Sequence, residues 1–315
     1  MTNKEQYIQL CRQEPVPFHG QSWLWEATTL SNEWDAILIS KAKRILAAMP
    51  YQVVRKWGVR AMLLPIHVQY QPLYISPDAP EDIYDQLVMA LEETCRENRI
   101  DWVQLQGFYP APFVHALPGF GFDIQERTTY RIDSIPPREN LPASFSENKR
   151  RQFRKAAGLE LAALSPEDFY AFHRHCMQAQ GKRIDYPEVW AQAVLSEAVK
   201  PGHRGRLLAA RNSEGQIAAA LFLAWDKEWA YYLLPTYDPA YKDSGAMTWL
   251  THEALCFAHD LNLGFDFEGS MTPSIASSYK QFGGQATTYY HIERLSAWSI
   301  RMAVNFLRRF RRHTR

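Results

Sequence analysis

Cysteine is scarce and scattered. The 315 residues hold four, Cys11, Cys95, Cys176 and Cys256, and no two of them form a Cys-x-x-Cys pair. That spacing excludes a zinc ribbon and a disulfide scaffold and suits a reducing compartment. Long apolar runs are missing as well. No stretch reaches the roughly 20 residues of a spanning helix. The opening Met1-Thr2-Asn3-Lys4-Glu5-Gln6 lacks the apolar core of a signal peptide. The expectation is a soluble, cytoplasmic protein. P-loop, Gly-x-Ser-x-Gly and His-Glu-x-x-His motifs are absent too. The imidazoles of His173-Arg174-His175 would point to different helix faces, so no metal is expected. A net charge of +1 argues against DNA or any other extended polyanion as partner of the whole chain.

What is present is ordinary for a globular protein: 46% apolar and 22% charged residues, in a chain long enough for two domains. Periodicity predicts strands over 34–40, 47–54, 57–68, 101–105 and up to Ile132, with a helix over 81–98 and a short one near Phe113–Leu117. The prolines Pro136, Pro137 and Pro142 mark 133–147 as a linker. Beyond it come helices over 166–180 and 187–199, three antiparallel strands at 206–211, 217–225 and 229–234, and a helix over 246–261. A strand at Gly264–Glu268, a helix from Pro273 and a last strand over 285–292 complete the chain. The two halves repeat one order of elements. Gly119-Phe120-Gly121-Phe122 with Thr128-Thr129-Tyr130 matches Phe282-Gly283-Gly284 with Thr287-Thr288-Tyr289, which reads as an internal duplication.

The densest chemistry lies in Phe265-Asp266-Phe267-Glu268-Gly269-Ser270 and the Tyr279-Lys280-Gln281-Phe282-Gly283-Gly284 that follows. Alternation puts both carboxylates on one strand face, about 6.5–7 Å apart. Asp266 reads better as a helix cap or an arginine partner. Glu268 fits equally a structural acid or a group that orients or deprotonates an amine. Lys280 is either a solvated flank lysine or a cation for a phosphate or an oxyanion. Lys149, Arg150, Arg151, Arg154 and Lys155 crowd one helix start and suit an anion. Lys242 and Gly245 precede a helix whose amides can cradle a pyrophosphate, although Asp243 or Ser244 as a plain N-cap explains the same pattern. Tyr232 and its neighbours read as core or rim aromatics, with a hydroxyl that can donate to an oxyanion. The basic, apolar-interleaved segment 296–315 suits an anionic membrane surface, nucleic-acid phosphates or a packed helix with a basic tail, and all three readings stay open.

These stretches resemble a known family. Ser146-Glu147-Asn148-Lys149-Arg150-Arg151-Gln152-Phe153-Arg154-Lys155, Phe265–Ser270 and Tyr279–Gly284, with weaker support from Lys56-Trp57-Gly58 and Leu64-Pro65, look like the Fem-type (FemA, FemB, FemX) aminoacyltransferases and related tandem GNAT acyltransferases. The resemblance spans roughly 18–294. It implies an α/β fold of two GNAT-like domains, each a mixed, mainly antiparallel sheet flanked by helices, over 1–135 and 136–295, with 296–315 as a basic C-terminal segment. It implies transfer of an acyl or aminoacyl group onto an amine, with acyl-CoA or aminoacyl-tRNA as donor substrate and no tightly bound cofactor. A cell-wall precursor or other phosphate-bearing compound would be the acceptor, with tRNA and the inner membrane surface as further contacts. Glu268 and Lys280 would be catalytic. Lys149, Arg150, Arg154, Tyr232 and Ser270 would bind substrate, and Lys242 and Gly245 would bind the donor's phosphates, with Met247 where the family's phosphate loop carries a small residue. A competing class is a degenerate, non-catalytic GNAT pair that binds a phosphorylated or membrane-associated partner.

Overall fold

The computed structural model of the chain describes residues 1–29, 34–269 and 272–296. Ser270 and 297–315, singled out above, lie outside the described residues. Contacts divide the chain into two units, Met1–Arg127 with the stretch from Tyr289, and Thr128–Thr288. Both divisions fall inside strands, not at the boundaries expected after 135 and 295.

Unit 1 begins with α1 (Asn3–Gln13), started by a reciprocal capping box in which Thr2 Oγ1 accepts from the Glu5 amide and Glu5 accepts from the Thr2 amide. A 3₁₀ turn at Phe18–Gly20 leads to α2 (Ser22–Thr29). Then follow β1 (Trp34–Lys41), β2 (Arg44–Lys56), β3 (Val59–Leu63), the short β4 (Tyr74–Ile75), α3 (Ile83–Glu97), β5 (Trp102–Gly107), α4 (Ala111–Ala116) and β6 (Asp123–Ile132). The sheet runs β1-β2-β3-β5, with β4 beside β2. The crossover through α3 makes β3 and β5 parallel, as such connections require. Residues Ile83, Leu87, Leu91 and Cys95 form the buried stripe of α3, spaced four apart. They pack on Met49, Met62, Val103 and Leu105 from the sheet and on Phe113 and Leu117.

Unit 2 contains α5 (Leu141–Ser144), α6 (Glu147–Lys155), β7 (Glu160–Ala163), α7 (Pro166–Ala179), α8 (Glu188–Ala198), β8 (Gly205–Arg211), β9 (Ile217–Trp225), β10 (Trp229–Tyr237), α9 (Ala246–Asp260), β11 (Gly264–Asp266), α10 (Pro273–Lys280) and the start of β12 (Gln285–Leu295). The sheet order is β6-β11-β10-β9-β8-β7. Here β6 takes part through Arg131 and Ile132, paired with Asp266 and Phe265. The far half of β12 pairs with β5 in unit 1, Tyr290 opposite Gly107 through Leu295 opposite Trp102. The last strand expected over 285–292 is thus present and runs on to Leu295. Alanines 218–220 are fully buried, which keeps β9 thin enough for cover on both faces.

The duplication is visible in the elements. β1-β2-β3-α3-β5-α4-β6 recurs as β8-β9-β10-α9-β11-α10-β12. Even the registers match: Leu63 opposes Gln104 where Tyr231 opposes Asp266. Left-handed Gly121 and Gly283 each turn the chain into the final strand of their copy.

Three local expectations are corrected. The proline-rich 133–147 is not a linker, because Ile135, Leu141 and Phe145 are buried in the core of unit 2 and Pro142 sits in the first turn of α5. The strand expected over 57–68 ends at Leu63, since Pro65 has no N–H to give to a ladder. The helix face Ile275, Tyr279, Phe282 is only partly inward, with Ile275 41% exposed.

Candidate active site

In unit 2 the parallel strands β10 and β11 pair over three residues and then part. β11 ends at Asp266, whereas β10 runs on to Tyr237. Its register against β9 slips between Leu233 and Thr236, with Leu234 left-handed at φ 46°. Pro235 explains the slip: it cannot donate to the ladder, so Leu234 and Pro235 bulge out of it. The strand expected over 229–234 therefore runs past this bulge to Tyr237, and the proline inside an otherwise apolar stretch is the sequence signal for it.

Asp266 organises the turn that leaves β11. Its carboxylate is fully buried. It accepts from Thr129 Oγ1 (2.8 Å), Arg131 Nε (2.7 Å) and the Glu268 amide (2.8 Å). The Arg131 guanidinium also lies 4.2 Å from the Trp229 ring centroid, a cation–π contact. Asp266 is thus a structural acid, as read from the sequence. Glu268 and Gly269 are both left-handed, at φ 62° and 70°. Past Asp266 the chain has left strand geometry, so the spacing of about 6.5–7 Å in an extended strand does not describe the two carboxylates, although both lie near Tyr231 and Tyr279. The strand geometry on which that spacing rested ends two residues too early.

Glu268 itself is 9% exposed. Burial holds the phenols of Tyr231 and Tyr279 above the ordinary range. For Tyr231 the charge and hydrogen bond of Asp226 come next, for Tyr279 the neighbouring Tyr232, and the charges of Asp266 and Glu268 add smaller contributions to both. The next residue back, Phe267, stacks on Tyr279 at 4.6 Å and 20°, and it also packs on Phe282 and Tyr232. This aromatic stack fixes α10 against the turn that carries Glu268. Lys280, the last residue of α10, is exposed, with Nζ 5.6 Å from the Tyr130 ring centroid.

Two motifs that are far apart in sequence, with Ser146 and Gln281 separated by 135 residues, meet here. The Ser146 amide donates to the Gln281 carbonyl (2.8 Å), and the side chains of Ser146 and Asn148 donate to Gln281 Oε1. Hence the N-terminus of α6 is tied to the C-terminus of α10. The basic residues of α6 then divide. Lys149 turns inward, 9% exposed, with Nζ 4.4 Å over the Phe282 ring, and burial lowers its pKa from 10.5 to about 8. Arg150 donates to the Phe145 carbonyl (2.6 Å) and closes α5. Arg154 stays in solvent on the last turn of α6.

Of the remaining candidates, Tyr232 is a core residue. Its hydroxyl lies 3.0 Å from both Thr251 Oγ1 and Met247 Sδ, and burial pushes its pKa up to about 12. Gly245 is the left-handed N-cap of α9, and a Cβ there would stand 2.0 Å from the Gln152 carbonyl oxygen. Close packing of α6 therefore accounts for this glycine. Neither Asp243 nor Ser244 is the N-cap expected as the alternative: Gly245 holds that position without a side-chain cap bond, and Ser244 Oγ, one residue earlier, accepts from the Ala246 amide (3.2 Å). Lys242 is exposed beside it. No cluster of metal-ligating side chains occurs among the described residues, and no helix among them is long and apolar enough to cross a membrane.

Comparison with known proteins bears on the fold. Residues 143–281 match the acetyltransferase (GNAT) domain family. The crystal structure of FemX superposes with a TM-score of 0.69 at 11% identity, covering 92% of this chain and 96% of that one. The C-terminal domain of a putative lysylphosphatidylglycerol synthetase from Agrobacterium fabrum gives 0.61 at 12%, over 96% and 94%. A tandem GNAT protein from the clavulanic acid biosynthesis pathway gives 0.55 at 12%, over 94% and 95%. No curated protein sequence matches significantly. Residues 143–281 thus match the acetyltransferase (GNAT) domain family, and the chain has the fold of FemX and of the tandem GNAT proteins.

Proposed function

We propose that unit 2 transfers an acyl or aminoacyl group from a thioester or ester to an amine, at the turn where β10 and β11 part. The observation that carries this reading is Glu268, a carboxylate held almost out of solvent on a left-handed, non-glycine backbone. Such strain costs on the order of 1–3 kcal/mol and persists where the surroundings over-determine it, most often at functional sites. Here Asp266 does so through its bond to the Glu268 amide.

In the proposed reaction the amine nitrogen attacks the donor carbonyl carbon. A nitrogen–carbon bond forms, and the carbon–sulfur or carbon–oxygen bond breaks. Glu268 takes the amine proton and passes it to the leaving thiolate or alkoxide. Lys280 faces the oxyanion of the tetrahedral intermediate, and Arg154 supplies charge for a phosphate-bearing acceptor or donor. Lys149 supports the site from beneath, through Phe282. The α9 N-terminus with Lys242 is the place for the donor's phosphates. FemX and the synthetase domain favour a tRNA-borne donor and a cell-wall or lipid acceptor, whereas the GNAT match favours acyl-CoA.

The test is a transfer assay with acetyl-CoA and with aminoacyl-tRNA, against nucleotide-linked peptidoglycan precursors and simple amines. Glu268→Gln is expected to lower turnover about 10²–10³-fold, within the span of a lost general base. Lys280→Ala is expected to cost about 10–10²-fold, less than a lost buried oxyanion donor because it is exposed. Unchanged transfer in both variants overturns the assignment. A second reading, a binding protein without turnover, draws on the Tyr232–Met247 contact that fills the core behind the strand split. It predicts thermal stabilisation by one of these ligands with no product from any.

A further inference from the structure

We propose that His173 is a proton-operated clasp on the connection between α7 and α8, closed while its imidazole is neutral and opened when the ring takes up a proton. This stands independently of the reaction proposed for unit 2. The connection, 180–187, starts against β10: Gln180 Nε2 donates to the Tyr237 carbonyl (3.2 Å), and His175 Nε2 lies 3.8 Å from Asp238 Oδ2. It therefore borders the strand that bulges at Leu234 and Pro235. Left-handed Gly181, at φ 66°, turns it back along α7. It returns as far as His173, where the Tyr186 hydroxyl stands 3.3 Å from Nε2.

His173 belongs to the buried stripe of α7, with Phe169, Tyr170 and Cys176. Only 6% of it is exposed. Its Nε2 meets Tyr186, whereas Nδ1 is buried with no hydrogen-bond partner among the described residues. A neutral ring tolerates this at the cost of one unsatisfied polar atom. An imidazolium does not. It carries a proton on both nitrogens, so Nδ1–H becomes a charged donor with no acceptor, out of reach of solvent.

The surrounding elements offer no counter-charge. On α8, Glu188 is engaged by Arg174 of α7 (2.9 Å), and in the connection Asp185 lies 4.0 Å from Arg183. Burial holds the phenols of Tyr170 and Tyr186 above the ordinary range, Tyr186 at about 12, and it pushes the Cys176 thiol up to about 12, so all three stay uncharged. On β10, Tyr231 donates to Asp226 (2.6 Å) and Tyr237 presents its carbonyl to Gln180. β9, from Ile217 to Trp225, carries no titratable side chain. Burial accordingly lowers the pKa of His173, and no carboxylate offsets it. Once the clasp opens, the ring regains the ordinary value of about 6.5. Below that pH the open form binds more proton than the closed form, so acid favours opening until the pH reaches the lowered value of the closed form.

The experiment is hydrogen exchange of the full chain at pH 7.5 and 5.5, corrected for the intrinsic rate at each pH and read by mass spectrometry over 178–190. Its reporters are the amides of Gly181, Lys182 and Trp190, bonded to the carbonyls of Gln178, Met177 and Pro187. One proton taken up on opening raises the opening constant by up to about tenfold between these pH values, and protection is expected to fall accordingly. Helix α3, which has no histidine, is the control and is expected to keep its protection. His173→Gln is expected to remove the pH effect, and Tyr186→Phe to lower protection already at pH 7.5. In the wild-type protein the His173 ring resonance is expected to titrate below the ordinary histidine value, a measurement that needs no variant to fold. Equal protection at both pH values, a loss shared equally by α3, a loss that survives in His173→Gln, protection unmoved by Tyr186→Phe, or a His173 titration at or above about 6.5 would overturn the proposal.

Discussion

The two copies of the fold treat the same structural event differently. In each, a parallel strand pair parts after three paired residues, Leu63 from Gln104 in unit 1 and Tyr231 from Asp266 in unit 2. The second copy puts acids at the parting point, Asp266 and Glu268, and backs them with the stacked rings of Phe267, Tyr279 and Phe282. The first copy puts Gln104 and Gln106 at the equivalent positions and leaves a cavity beside them. A buried acid needs dedicated donors, and unit 2 provides Thr129, Arg131 and a backbone amide. Neutral amides demand less, and Gln106 is held by one donor, Arg127 Nη1, and one acceptor, the Gln69 carbonyl. Duplication preserved the backbone device and let its chemistry diverge.

The largest expected effect tests that demand directly. Asp266→Ala leaves the Arg131 guanidinium, already 13% exposed, without its partner and releases the turn. The expected loss is about 3–5 kcal/mol, the range for breaking a buried pair from one side. Gln104→Ala, at the matching register, is expected to cost less than about 1 kcal/mol. Urea unfolding of both variants checks the contrast, and equal losses would show that the acid holds nothing the amide does not.

A second contrast concerns two lysines that lie over aromatic rings. Lys149 in unit 2 is buried and its pKa is lowered from 10.5 to about 8, whereas Lys56 in unit 1 is half-buried at a rim. Below pH 8 the folded and unfolded chains both carry the Lys149 proton, so the cost of burying the charge is felt in full, about 3 kcal/mol. Between pH 8 and 10.5 the unfolded chain binds more proton, and stability rises with pH. Lys149→Met is therefore expected to stabilise the protein by about 1–3 kcal/mol at pH 7, a gain that shrinks towards zero by pH 10.5. Lys56→Met is expected to shift stability by less than about 1 kcal/mol at both pH values. Thermal unfolding at pH 7 and pH 10 reads the difference. A pH-independent gain would mean that Lys149 is neutral or solvated.

How far these contrasts were legible in the sequence depends on how local their causes are. The hairpin of β8 and β9, helix α9 and the strand–turn–helix around Gly269 follow from periodicity, turn residues and caps. So does the inward lysine in retrospect: Lys149, Phe153 and Ala156 fall at i, i+4 and i+7, one helical stripe that a dense basic run concealed. The opening helix was missed because only Tyr7 and Leu10 are buried among its polar residues, although Thr2-x-x-Glu5 was a capping box in plain view. Prolines 136, 137 and 142 looked like a linker because proline composition does not reveal that Ile135, Leu141 and Phe145 anchor the stretch. The strand pairings of β6 and β12 were out of reach, since partners more than a hundred residues apart leave no local signal. The left-handed Glu268 was half-legible: Gly269 announced a turn, but only the bond from the Glu268 amide back to Asp266 makes the glutamate share it.

That last point gives the smallest and sharpest prediction. Glu268 and Gln106 are equivalent by register, yet one backbone is left-handed and the other is extended within β5. Glycine relieves a left-handed position and weakens a strand. Glu268→Gly is therefore expected to stabilise the protein by about 1 kcal/mol, the strain recovered less the entropy that glycine adds to the unfolded chain. Gln106→Gly is expected to destabilise it by about 1 kcal/mol, through strand entropy and the lost bond from Arg127. The two substitutions differ in sign, and a pair of thermal melts decides it. If Glu268→Gly instead loses stability, the turn relies on the glutamate side chain for structure, and strain kept for function ceases to explain why a carboxylate sits there.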